Sequence, residues 1–175
     1  MNTKYSLKRF LVIVGSTLSG LMLATGVDAA NPETVSVDVT FVAAITIVED
    51  SALLFGLIDE ALNTETITIA TNDGLTDGGG MVIGGLQRAA DLTITATGGV
   101  SMNIAIGGIT PNTGYTLATF MCDYELGTIT ACDGGGYTVT SVADGALRVG
   151  VTLTGNNLAV PGVSNGSFTV TVSYI

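Results

Sequence analysis

The chain has 175 residues, 47% of them hydrophobic and 11% charged, and carries a formal net charge of −10. Fifteen acidic residues against five basic ones make a surface that repels nucleic acid and anionic membranes, so neither is expected as a partner. There is no histidine and no tryptophan, while glycine, threonine, valine and isoleucine abound beside three prolines, a composition that favours strands and turns over helices.

Lys4, Lys8 and Arg9 precede a mostly apolar run from Phe10 to Thr25, and Val27-Asp28-Ala29 follows. This is the pattern of a secretory leader, with cleavage expected after Ala29. Gly15, Ser16, Ser19 and Gly20 interrupt the apolar run, which argues against a membrane anchor. Residues 30–175 are then expected to form one domain, with no integral membrane segment and with Arg88 and Arg148 as its basic residues. Without lysine or histidine, that region leaves acid–base chemistry to carboxylates and hydroxyls, and nothing in the sequence pairs two carboxylates across a cleft. No catalytic residue, metal ligand or cofactor-binding residue is identified.

Thr34 to Val48 reads as one long strand. Val35, Val37, Val39, Phe41, Ala43, Ile45 and Ile47 share a face, because successive side chains on a strand point to opposite sides. Glu49-Asp50-Ser51 reads as a turn, Leu53 to Ile58 as a short apolar run, and Thr64 to Thr71 as an alternating strand. Thr71 to Gly80 reads as a loop. Its carboxylates and glycines faintly resemble a calcium loop but lack the ligand spacing, so a solvated turn is expected. Met81–Ile83, Leu92–Thr95, Val100–Ile106, Tyr115–Cys122, Thr128–Cys132, Tyr137–Val142 and Ala146–Leu153 are the next strands. In the last one Phe168, Val170, Val172 and Tyr174 face one way, and Ser167, Thr169, Thr171 and Ser173 the other. Asn165-Gly166 before it reads as a hairpin turn. Strands recurring at this spacing, with Gly, Asn and Asp between them, predict an all-β fold, an antiparallel β-sandwich of immunoglobulin-like kind. A small outer-membrane barrel is the structural rival, weakened by the scarcity of aromatic residues.

Cys122 and Cys132 flank a segment centred on Gly127. A hairpin turn there places them opposite each other on neighbouring strands, and in an exported chain such a pair is expected to be oxidised.

The motifs Val42-Ala43-Ala44-Ile45-Thr46-Ile47, Leu54-Phe55-Gly56-Leu57-Ile58, Leu147 to Leu153 and Gly166 to Tyr174 together resemble the secreted bacterial family known as domain of unknown function 4402. The resemblance covers nearly all of Val35 to Tyr174 and implies no activity. Separately, the last strand resembles the end of chaperone–usher pilus subunits: alternating apolar residues, the penultimate aromatic Tyr174, and Gly162 fourteen positions from the end. That resemblance implies an incomplete sandwich, filled first by a chaperone strand and then by the N-terminal extension of another subunit. On it, Val35, Val37, Val39, Phe41, Ile45 and Ile47 are a candidate donor strand, and Gly162, Phe168, Val170, Val172 and Tyr174 a candidate contact strand for chaperone or subunit. The chain departs from the pilus pattern in its mid-chain cysteine pair and in lacking a glycine between Thr34 and Val48.

The expectation is a non-enzymatic structural subunit of a cell-surface fibre or adhesin, exported through the periplasm. Its expected partners are copies of itself or related subunits, with a periplasmic chaperone besides. The alternative is a self-contained secreted binding module that never polymerises.

Overall fold

A computed structural model describes residue 36 and residues 38–110, 112–162 and 165–175. The chain divides into two compact units, Met1–Val39 and Thr40–Ile175, and every strand described belongs to the second. The expected leader lies outside the described residues, as do Val35 and Val37 of the expected first strand.

The described residues form strands and no helix. In chain order the strands are β1 (Thr46–Ser51), β2 (Leu57–Ile58), β3 (Thr66–Ile69), β4 (Leu75–Asp77), β5 (Val82–Gly84) and β6 (Ala90–Thr95). There follow β7 (Ser101–Gly107), β8 (Tyr115–Tyr124), β9 (Thr130–Ala131), β10 (Tyr137–Thr140), β11 (Asp144–Gly155) and β12 (Thr169–Tyr174). They make a seven-stranded sheet, a three-stranded sheet ordered β10-β7-β12, and the small pair β2-β5. All strand pairings are antiparallel.

β11 is the axis of the large sheet. One edge pairs with β6 from Asp144 to Val149 and then with β3 from Val151 to Thr154. Its other edge pairs with β8 along most of its length. Strict alternation makes this possible: Leu147, Val149, Val151 and Leu153 are buried on one face, while Arg148, Thr152 and Thr154 are half-buried on the other. Gly150 sits where the partner changes. A β-carbon there would stand 2.6 Å from the Ile69 carbonyl oxygen and 2.8 Å from the Thr71 nitrogen, so only glycine lets the backbones approach. On the facing strand the register slips between Gly150 and Thr152, and Thr119 takes a φ of 52°, the mark of a β-bulge.

The two larger sheets pack face to face. Ile94, Phe120, Leu147, Val149 and Val151 of the large sheet meet Met102, Ile104 and Ile106 of the small one in a single core, against which Val170, Val172 and Tyr174 also pack. The fold is therefore an all-β antiparallel sandwich. Two separate sheets with open edges set the barrel alternative aside. Cys122 and Cys132 form a disulfide, both fully buried, with Cα atoms 5.8 Å apart. Thr130 stands directly opposite Cys122, and Cys132 lies two residues further on, where its carbonyl accepts the Ile106 N–H. The bridge thus sits at the point where the chain leaves one sheet for the other.

Several sequence expectations change. Thr71 to Gly80 is not loop throughout, because Leu75–Asp77 pairs with β3 as β4. Thr34 to Val48 is not one strand: among the described residues pairing begins at Thr46, opposite Thr95, the last residue of β6. Upstream, Ala43 N–H reaches only the Thr97 hydroxyl, and residues 40–45 have strand-forming sequence but no strand beside them. Glu49-Asp50-Ser51 is not a turn but the second half of β1. Asn165-Gly166 does not close a hairpin, because β11 and β12 belong to different sheets and their connection crosses between them.

Candidate functional site

β1 pairs only with β6, and β12 only with β7, so each leaves one edge unpaired among the described residues. A groove of about 1270 Å³ runs beside both, lined by Ile47 and Glu49 of β1 and by Phe168, Thr169 and Val170 at the start of β12. Unpaired N–H and C=O groups on a strand edge are a template for another strand.

The floor is apolar. Leu92 of β6, Leu117 of β8, Leu153 of β11 and Leu62 all line it. One wall is the run from Ala52 to Ile58, and Arg88 holds it in place. Leu54 and Arg88 exchange backbone hydrogen bonds of 2.8 and 2.9 Å, and the Arg88 Nε donates to the Ala52 carbonyl at 3.3 Å. β2 then pairs with β5. Along this wall Leu53 and Phe55 pack against the main core, whereas Leu54 and Leu57 stay exposed, Leu57 to 62%. The β11–β12 connection forms part of the rim. Asn156 N–H donates to the Gly114 carbonyl, Asn112 Nδ2 to the Asn165 carbonyl at 2.7 Å, and Thr110 N–H to the Ser167 carbonyl.

The expected contact strand comes together here. Gly162, with a φ of 136°, lines the groove beside Phe168 and Val170. Phe168 meets Phe120 edge-on, ring centroids 5.1 Å apart. Val172 and Tyr174 pack against the core, and the Tyr174 hydroxyl accepts the Thr97 N–H at 2.7 Å. The expected donor strand is split. Ile45 packs against this domain's own core, and Ile47 pairs with Ile94 and lines the groove. Val39 and Phe41 are in no strand and are exposed, Phe41 to 88%.

Sequence reasoning missed two residues. Arg88 gave no signal beyond being one of two basic residues outside the expected leader. Glu49, assigned to a turn, stands opposite Leu92, a residue of the core, and lines the groove together with Ile47. It is thus a carboxylate on the inward side of an edge strand. Asp59 and Glu60 also line the groove, and no basic residue among those described does.

Carboxylates elsewhere shape loops. The Arg148 guanidinium, 2.6 Å from Asp73, and the Ala89 N–H hold the Asp73 carboxyl below its ordinary value. The Val82 N–H, 2.7 Å from Asp77, does the same there. Burial pushes the phenols of Tyr124 and Tyr137 up. No group of three His, Cys, Asp or Glu among the described residues is placed to hold a metal ion.

The sequence profile described as Domain of unknown function (DUF4402) matches residues 45–174. No curated protein and no solved structure matches the chain.

Proposed function

The chain belongs to this family, whose description states no activity, and from the open groove we propose that it is a non-enzymatic structural subunit of a cell-surface fibre or adhesin that assembles by β-strand addition. One observation carries the reading: an apolar groove lined by residues of β1 and β12, two strands that each leave one edge unpaired among the described residues. A strand laid between β1 and β12 would gain backbone hydrogen bonds for affinity, and pockets for alternate side chains would set its register. Burying its apolar face contributes about 10 kcal/mol before ordering costs, enough for a persistent polymer.

The segment before Ala43, whose described residues 38–42 lie in no strand, is what this chain would offer to a neighbour, with Phe41 as the large anchor. The resemblance of β12 to the last strand of pilus subunits supports the same reading and would make the sandwich an incomplete immunoglobulin-like one. Export through the periplasm to the cell surface belongs to this proposal, and the buried disulfide is compatible with it. Partners are related subunits or copies of itself, with a chaperone covering the groove beforehand.

An unboiled denaturing gel of material sheared from cells that make the protein tests this. A ladder of heat-sensitive multimers containing this chain is the expected result. A single monomer band would instead favour a self-contained binding module.

A further inference from the structure

We propose that the strand entering the groove belongs to a different polypeptide and carries an arginine or lysine on its inward face, paired with Glu49. The inference rests on the strand-addition reading and narrows its partner.

Glu49 follows Ile47 on the inward side of β1, opposite Leu92, and both line the groove. In the free protein its carboxylate is exposed and solvated. A strand laid along β1 would take it out of water, and an unpaired charge left there opposes insertion. Inward-pointing charges on edge strands guard sheets against pairing with their own copies. A cation arriving with the inserted strand removes that penalty and makes a charge-assisted hydrogen bond. Asp59 and Glu60 on the same groove add to the attraction for a basic strand.

A second copy of this chain has no cation to bring. Arg88 is engaged with the Ala52 carbonyl, and Arg148, in the middle of the central strand, is paired with Asp73. The remaining basic residues, Lys4, Lys8 and Arg9, stand in the expected leader, and the apolar extension that follows it carries Glu33 and Asp38 instead. Two acidic surfaces would meet, so self-addition works against charge as well as desolvation.

Synthetic strands titrated into the purified protein test this. The parent peptide is Ser36–Ile47 of this chain, and six variants carry V37K, V39K, F41K, A43K, I45K or I47K, so that lysine samples each inward position. At low salt, one variant is expected to bind about tenfold more tightly than the parent. That advantage is expected to vanish in the Glu49→Gln protein and to shrink at 0.5 M salt, where charges are screened beyond about 4 Å. If the parent binds as tightly as every lysine variant, the cationic partner is overturned while strand addition stands. If neither parent nor variants bind, strand addition itself falls, and this inference with it.

Discussion

Single residues place the groove and tune its surroundings. Gly150 holds the change of partner along β11, and Gly150→Ala would press a methyl group onto the backbone of Ile69 and Thr71. A loss of about 1–3 kcal/mol in urea unfolding is expected, the usual cost of overpacking a tight site. Asp73, held below its ordinary 3.8 chiefly by Arg148, contributes stability above that value and loses it as the pH falls through the folded one. The pair is largely exposed, so Asp73→Asn should cost at most about 1 kcal/mol at pH 7. The difference in melting temperature from wild type should close as the pH falls below 3.8 and through the lowered folded value. At this scale the cysteine pair was legible, because two cysteines flanking a glycine turn leave little choice of partner. Glu49 was not legible. A Glu-Asp-Ser run has turn composition, yet edge strands also carry charge, and only the facing strand β6 decides between the two.

At the level of elements, alternation revealed what was half-buried. β6, β7, β11 and β12 fall where their apolar periodicity puts them, because each has one face on the core. β4 was hidden inside a loop rich in Gly and Asp, since three residues carry no periodicity and its pairing with β3 is the only reason it is a strand. The described residues 38–45 failed in the opposite direction. Strand propensity there is high, but propensity describes fit to a neighbour, and past Thr95 the neighbour ends. That difference makes a clean experiment. Deleting residues 31–42 removes no described strand pairing and should leave the melting temperature within about 2 °C of wild type. The same deletion should stop this chain being passed on into multimers, read by the same unboiled gel. Loss of folding instead would show that the segment completes its own domain.

At the largest scale, the Thr40–Ile175 unit is a sandwich stapled where its chain passes between sheets. Replacing both Cys122 and Cys132 by alanine should cost about 2–3 kcal/mol by denaturant unfolding, because the closed loop is short and the bridge fully buried. Fold class was readable from the rhythm of strands and turns. The open groove was not, since it depends on which strands end up at edges, and that is settled by long-range pairing. The most far-reaching of those pairings is the one made by β11, which serves β3 and β6 on one side and β8 on the other. The β3–β4, β1–β6 and β8–β9 pairs, which precede it in the chain, cannot join into one sheet until it arrives. Delivered from its N-terminus, the polypeptide therefore cannot complete its large sheet until residues 144–155 have emerged, and the order of its strands itself postpones the last step of folding.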